Sequence, residues 1–166
     1  MSTAKAMPLV YLPTLLADQT AVLLNSFAEQ RPSEGVVYWF GLEAATFAVV
    51  TTLIVPDVDT TDARVRTSVT ANAGAIVAII GTPLVYLGQA HSHPGWHVDH
   101  SLVDDRETFA RFDGALSVVV PWFGRYGFAL EQCGIHRHID GRFKRVQAVG
   151  EHLCLLPSTK DLRGTP

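Results

Sequence analysis

Two histidines separated by one residue, His91 and His93, are followed along the chain by Ser101 and Asp104. In a strand, residues two apart point to the same face, with α-carbons roughly 6 to 7 Å apart, so both imidazoles can face one ion. Residues three apart in a helix share a face, so the hydroxyl and the carboxylate can be aimed together. Two imidazoles and one carboxylate leave a position on zinc for water, whose pKa falls from about 15.7 towards about 7. The spacing therefore predicts an open zinc site that activates water at neutral pH.

Other interpretations of the same residues stay open. Ser101 and Asp104 also have the spacing of an N-terminal capping box, in which each side chain accepts a hydrogen bond from the other residue's amide. His97, Asp99 and His100 are alternative metal ligands in the loop between the two motifs. A set of two histidines and one carboxylate also holds iron in oxygen chemistry, which is the alternative reaction class.

The elements that must position these residues form an α+β domain with a largely antiparallel sheet. Apolar residues at helical spacing, short runs of strand formers and turn residues between them indicate the order αββαβαββββ. The polar segment 56–61 is expected to be a turn, and Pro94 ends the strand that carries the two histidines. The predicted helices span 14–30, 68–80 and 101–111, and the predicted strands span 34–40, 45–55, 84–93, 116–122, 127–132, 135–139 and 143–146.

Composition argues for one compact domain that binds neither nucleic acid nor a membrane. The chain has 166 residues, 48% of them hydrophobic and 17% charged, and a formal net charge of −3. This charge gives no general attraction to anionic polymers or anionic lipid surfaces. Basic residues cluster late in the chain but alternate with apolar residues and with Asp140, which favours a solvated strand face. They are Arg137, Arg142, Lys144 and Arg145.

Cysteine usage indicates a reducing compartment. Only Cys133 and Cys154 are present, without a Cys-x-x-Cys pair, so neither a disulfide framework nor a cysteine-rich zinc site is expected. The apolar stretch 6–13 is interrupted by two prolines and is unlike a secretory leader. We therefore expect a cytoplasmic protein.

A second histidine pair, His136 and His138, has no carboxylate at a useful spacing and is interpreted as structural.

The complete motif resembles the metal signature of the JAMM metalloproteases, also called the JAB or MPN-plus family. The run His-Ser-His-Pro at 91–94, the interval before Ser101 and the interval before Asp104 all match that signature. The resemblance implies a single JAB/MPN-like domain over 1–166, cytidine-deaminase-like in fold, with its core at about 10–146 and a tail at 147–166. It also implies that His91, His93 and Asp104 bind Zn²⁺.

The family also carries a catalytic glutamate on an early strand after the first helix, often followed at the seventh position by glycine. Here Glu34 is followed at that distance by Gly41, although Val37 stands where the family often has another glycine. The resemblance implies that Glu34 is the general base and that Ser101 hydrogen-bonds the oxyanion. Glu43 stays the alternative base.

The resemblance implies a substrate class as well. The family includes isopeptidases that remove ubiquitin or ubiquitin-like proteins from lysine, and bacterial members that act beside ubiquitin-like or sulfur-carrier proteins. We therefore expect hydrolysis at the C-terminus of a ubiquitin-like protein, by precursor processing or deconjugation, in a bacterial anti-phage conjugation system. The alternatives are a zinc amide hydrolase acting on a sulfur-carrier protein or a small molecule, and an inactive MPN-type scaffold.

Overall fold

The computed structural model describes residues 7–30, 32–61 and 64–159. Within these ranges the chain forms ten β-strands and three α-helices. The helices are α1 (Thr14–Gln30), α2 (Val69–Val77) and α3 (Leu102–Glu107). The strands are β1 (Leu9–Pro13), β2 (Val36–Glu43), β3 (Phe47–Ile54), β4 (Val58–Thr61), β5 (Arg64–Thr67), β6 (Val85–Ser92), β7 (Leu116–Val120), β8 (Gly134–Ile139), β9 (Arg142–Arg145) and β10 (Leu153–Leu156).

Eight strands form one mixed sheet in the order β10-β1-β3-β2-β6-β7-β8-β9, and β4 and β5 form a separate hairpin. Neighbours are antiparallel in the pairs β2–β3, β2–β6, β7–β8 and β8–β9. They are parallel in the pairs β1–β10, β1–β3 and β6–β7. The predicted α+β class with a mostly antiparallel sheet is confirmed.

The predicted strand over 127–132 and the predicted end of the third helix are wrong. The predicted strand over 127–132 is a turn followed by a short 3₁₀ helix at Leu130–Gln132, and Gly127 has a φ of +85°, which a strand does not allow. The third helix ends at Glu107 and does not continue to 111, because Thr108 has an extended backbone with ψ of 131°.

Four short strands were not predicted. β1 lies between two prolines, and β10 lies in the segment assigned to a tail, where it pairs in parallel with β1. β4 occupies part of the segment 56–61, so the turn predicted there is wrong, and it pairs with β5 as a hairpin. Strands of four or five residues carry little periodicity, and their stability depends on partners distant in sequence.

The sheet has a core on each face. Side chains alternate along β2, so Val37 and Trp39 belong to the cluster that includes α1, while Val36, Tyr38 and Phe40 belong to the cluster that includes Ala75 of α2. All five are at most 5% exposed. The second face, which carries Val36 and Tyr38, is the face on which the candidate site lies.

A register shift between β2 and β6 determines which face of the sheet the site residues point to. Trp39 pairs with Gly88 whereas Phe40 pairs with Tyr86, so one extra residue of β6 is accommodated. Such a bulge changes which residues point to a given face of a sheet. Tyr86 therefore faces the α2 side, and beyond the bulge Gln89 and His91 face the same side.

Gly41 lies in β2 at a position where the chain packs tightly against β3. A Cβ atom at this position would come within 1.9 Å of the carbonyl oxygen of Val49, so no larger residue fits without moving the backbone. The glycine at the seventh position after Glu34 thus has a packing role, at the register shift between Phe40 and Gly41.

The late basic cluster is only partly a solvated face. Arg137 is 1% exposed, and its guanidinium donates hydrogen bonds to the carbonyl oxygens of Pro8 and Gly114. Burial lowers the pKa of Arg137 to about 10. The interpretation as a solvated strand face is therefore wrong for Arg137, which ties β8 to the start of β1. Arg142 is exposed, as expected.

Among the described residues, no helix has the length and apolar character needed to cross a membrane.

Candidate metal centre

His91 and His93 lie at the carboxyl end of β6, in the middle of the sheet. His91 pairs with Val36 of β2 on one side and with Val119 of β7 on the other. The amide of His93 donates to the carbonyl oxygen of Val120 at 3.0 Å. The two imidazole centroids are 5.2 Å apart. The backbone of both histidines is thus fixed by the neighbouring strands.

The tautomer of His93 leaves its Nε2 atom available to bind a metal ion. Its Nδ1 atom lies 2.8 Å from the carbonyl oxygen of His97, an atom that only accepts hydrogen bonds, so Nδ1 carries the proton. Nε2 then presents a lone pair. A hydrogen bond from the other ring nitrogen to a carbonyl is the usual way in which a metal-binding histidine is oriented.

Asp104 of α3 faces both imidazoles. Its Oδ1 atom is 3.7 Å from Nε2 of His91, and its Oδ2 atom is 3.4 Å from Nε2 of His93. Among the described residues these three form a group whose ligand atoms all lie within 4.8 Å of one another. Burial by itself raises the pKa of Asp104, but the two imidazoles and the Ser101 amide outweigh it and hold this pKa well below its usual value.

The capping box is present together with this group. The Ser101 amide donates to Oδ2 of Asp104 at 2.6 Å, and Ser101 Oγ accepts from the amides of Val103 and Asp104 at 3.2 Å. The two interpretations of the Ser-x-x-Asp spacing are therefore compatible. The cap fixes the rotamer of the carboxylate that faces the histidines.

The ring of His91 indicates that an ion fits this group. His91 is 6% exposed, and neither ring nitrogen has a hydrogen-bond partner among the described residues. Leaving a buried polar atom unpaired costs about 1 to 3 kcal/mol, so an imidazole with two such atoms is unfavourable as it stands. An ion held by Nε2 together with His93 and Asp104 would satisfy one of them, and the donor set suits a divalent metal.

Glu34 lines the same cavity. It precedes β2, where the amide of Gly35 donates to Ser92 Oγ at 2.9 Å and the amide of Ser92 donates to the Gly35 carbonyl at 3.0 Å. A Cβ atom on Gly35 would lie 2.4 Å from the ring of Phe27, so the chain passes tightly over α1 here. Burial raises the pKa of Glu34, an effect that the imidazoles of His93 and His91 partly oppose.

The remaining sequence candidates lie elsewhere. Glu43 is exposed and lines a separate cavity of about 710 Å³ at the other end of β2. His97 is exposed, and the Asp99 carboxylate pairs with Arg145. His100 packs behind His91, with ring centroids 5.4 Å apart. None of these four belongs to the three-residue group.

The cavity of about 240 Å³ at this site also has walls that sequence analysis missed. Gln89 lies two residues before His91, and Val36 and Tyr38 lie two and four residues after Glu34, so strand alternation from the site residues would have found them. The wall residues from β5 and α3 have no such signal, because only the fold brings them here. The additional lining residues are Val36, Tyr38, Thr67, Gln89, Val103, Glu107 and Thr108.

Known proteins are similar to this chain in sequence and in fold. The chain is 30% identical over 145 residues to a probable metalloprotease, y4jG, of Sinorhizobium fredii (strain NBRC 101917 / NGR234), covering 82% of this chain and 86% of that protein. No protein-family model matches the sequence.

Solved structures show the same fold at low identity. Protein DSY2949 from Desulfitobacterium hafniense superposes with a TM-score of 0.69 at 13% identity, covering 90% of this chain and 94% of that one. A protein from Salinibacter ruber superposes with a TM-score of 0.58 at 20% identity, covering 82% and 88%. AF2198, a JAB1/MPN domain protein from Archaeoglobus fulgidus, superposes with a TM-score of 0.51 at 15% identity, covering 86% and 97%.

The fold and the site define a metal-dependent hydrolase of the JAMM type. The metalloprotease relative and the MPN-domain structure agree with the signature residues, and the chain belongs to the JAMM/MPN family.

Proposed function

We propose that the protein is a zinc peptidase that hydrolyses a peptide or isopeptide bond at the C-terminus of a ubiquitin-like protein. One observation carries the proposal. The Glu34 carboxylate lines the same cavity as the ligand group of His91, His93 and Asp104, although the glutamate lies just before another strand, β2. A general base beside an open metal site is the arrangement that metal-assisted amide hydrolysis requires.

Zinc, when bound, would supply positive charge that makes water a nucleophile at neutral pH and polarises the scissile carbonyl. His91, His93 and Asp104 would hold it. Glu34 takes the proton of the attacking water and returns it to the leaving amine. Its raised pKa suits both steps, because a base works best with a pKa nearer the working pH.

Ser101 contributes its hydroxyl hydrogen. Its oxygen accepts hydrogen bonds from two backbone amides of α3, and these bonds fix the position of Oγ at the cavity wall. Both contacts use the lone pairs of the oxygen, so the O–H group is left to donate. We assign this donor to the carbonyl oxygen of the substrate as negative charge develops on it.

The small volume of the cavity and a neighbouring strand edge support a peptide tail as the substrate. Its volume of about 240 Å³ lies below the range of about 300 to 1,000 Å³ that is typical of small-molecule pockets. Val36 and Tyr38 form part of its apolar lining. Thr67, which also lines the cavity, ends β5, a strand that pairs only with β4 among the described residues. A peptide tail can add to such an edge through its backbone while small side chains pass the site.

We place this activity in a bacterial ubiquitin-like conjugation system with an anti-phage role. A ubiquitin-like protein has the flexible C-terminal tail that such a cavity fits. A small amide would need the same zinc chemistry but not the strand edge of β5. Comparing protein fusions with short amides therefore distinguishes these substrates.

The test is cleavage of a ubiquitin-like protein fused at its C-terminus to a reporter. We expect the purified protein to release the reporter, to stop when a chelator is added, and to recover with zinc. Glu34→Gln should abolish release, whereas the matched variant Glu43→Gln should cleave normally. Cleavage that survives chelation would refute the zinc mechanism, and cleavage of short amides alone would refute the protein substrate.

A further inference from the structure

Asp104 is carried by a helix that has little stability of its own. α3 contains six residues, and none of them is buried. Isolated helices shorter than about 12 residues are marginal in water, and helices in proteins are held mainly by packing of an apolar face. The position of the Asp104 carboxylate must therefore be fixed by contacts at the two ends of α3.

The carboxyl end of α3 is fastened to the sheet by apolar and polar contacts. Thr108 Oγ1 donates to the Asp104 carbonyl at 2.6 Å, and the amide of Phe109 donates to Gln89 Oε1 at 3.2 Å. The Phe109 ring stacks on Tyr38 with centroids 4.6 Å apart. This end therefore rests on β2 and β6.

Towards the amino end, the His100 side chain joins α3 to the sheet. Its Nδ1 atom lies 2.9 Å from Oδ1 of Asp105 in α3, and its Nε2 atom lies 2.9 Å from Oγ of Ser117 in β7. Ser117 pairs with Gln89 across β6 and β7, so both fastenings of α3 reach the same row of the sheet. The His100 side chain is 5% exposed.

The same ring packs directly behind His91. Its centroid is 5.4 Å from the His91 ring and 4.1 Å from the His136 ring. One proton satisfies both contacts, because Nδ1–H donates to the Asp105 carboxylate and Nε2 accepts from the Ser117 hydroxyl. The His91 ring, whose nitrogens have no hydrogen-bond partner among the described residues, is therefore held against a fixed ring.

We propose that His100 is a positioning residue of the metal centre, which fixes the α3 carboxylate relative to the β6 imidazoles by bridging Asp105 to Ser117. The inference rests on the metal site of the proposed function but not on its substrate. His100 does not ligate the ion. Partners of this kind, outside the ligand set, typically contribute 10-fold to 100-fold to metal affinity.

The test compares His100→Phe with the matched variant His138→Phe. Both histidine side chains are at most 7% exposed and pack beside Phe143, but His138 bonds to Asp113 and not to α3 or β7. Zinc affinity would be measured by competition with a chromophoric chelator, and ligand geometry by the visible absorption spectrum of the Co²⁺ form. We expect His100→Phe to lower zinc affinity at least 10-fold and to change the cobalt spectrum, and His138→Phe to do neither.

A merely structural role for His100 would lower the melting temperature but leave zinc affinity and the cobalt spectrum of the folded variant at wild-type values, and that result would overturn the proposal. His100→Asn, which keeps an amide near the position of Nδ1, should recover part of the affinity. If His100→Phe does not fold, Ser117→Ala provides the test, and a wild-type affinity in it would overturn the proposal equally. Tight zinc binding by a wild-type protein that cleaves no fusion would refute the proposed function and leave this inference standing.

Discussion

Val36 and His91 are paired directly across β2 and β6. The start of one strand therefore meets the metal-binding end of its neighbour. Glu34 precedes Val36 by two residues, and strand alternation places it on the same side as Val36 and the His91 ring. Ser92, which points to the opposite side, fixes this meeting point through its bond to the Gly35 amide at 2.9 Å. Base and ligands are thus joined by the sheet itself.

Glu34→Gln should separate chemistry from metal binding. The amide is nearly isosteric with the carboxylate but cannot accept a proton, and a general base typically contributes about 10²-fold to 10⁴-fold. We expect kcat to fall by at least about 10²-fold while zinc content stays unchanged. Turnover of the fusion substrate and metal analysis of the same sample check this. A variant with wild-type turnover would show that another group is the base.

Asp104 has two roles that different substitutions separate. Asp104→Asn keeps an oxygen that can accept the Ser101 amide but loses the charge that faces the imidazoles, whereas Asp104→Ala loses both. We expect both variants to lose zinc affinity, and only Asp104→Ala to lose stability as well. Removing a cap costs about 0.5 to 2 kcal/mol, so Ser101→Ala should show a similar loss in urea unfolding. Equal stability of the alanine and asparagine variants would contradict the capping role.

The sequence predicted the site better than the edges of the fold. His91, His93, Ser101 and Asp104 are close in the chain, so strand and helix spacing made them candidates, although the same spacing left the capping box and the alternative ligands open. The long interval to Glu34 was bridged only by family resemblance, because no local rule states that β2 pairs with β6. The contacts of His100 depend on the same tertiary pairing and could not be anticipated.

The errors have similar causes. β10 and β1 are short and pair with each other at opposite ends of the chain, so neither has a strong local signal. The buried Arg137 contradicts an average preference, because arginine is almost never fully buried unless paired. Its partners are two backbone carbonyls, which no composition argument can identify.

Replacing Arg137 tests whether it fastens β1 to the sheet. Arg137→Met keeps the length of the side chain but leaves the carbonyls of Pro8 and Gly114 without its hydrogen bonds, and unpaired buried groups cost about 1 to 3 kcal/mol each. We expect the free energy of unfolding in urea to fall by about 2 kcal/mol or more. The exposed residue Arg142, changed to methionine, is the matched control. Equal stability of the two variants would contradict the role of Arg137.

His136 should make stability depend on pH. It is 3% exposed, and burial, followed by the nearby His100, His91 and Arg145, lowers its pKa to about 3, against the opposing charge of Asp99. Between about pH 6.5 and 3 the unfolded chain therefore binds a proton at His136 that the folded chain does not. Folding stability is then unaffected by this group above pH 6.5 and falls as the pH decreases below it, by up to about 1.4 kcal/mol per pH unit.

Urea unfolding of the metal-free protein at several pH values between 7.5 and 5 measures this slope. His136→Phe, which keeps an aromatic ring but cannot be protonated, should lose stability less steeply as the pH falls. Parallel curves for the two proteins would show that His136 does not cause the acid sensitivity.

Zinc titration of the chelator-treated protein by calorimetry measures the proposed metal centre itself. We expect one zinc ion per chain for the wild type and for Glu34→Gln, with affinity reduced at least 10-fold in His91→Ala, His93→Ala and Asp104→Ala. The variant His97→Ala, which changes an exposed histidine, should bind zinc as the wild type does. A wild-type protein that binds no zinc, or ligand variants that bind it as tightly as the wild type, would show that these residues do not form a zinc site.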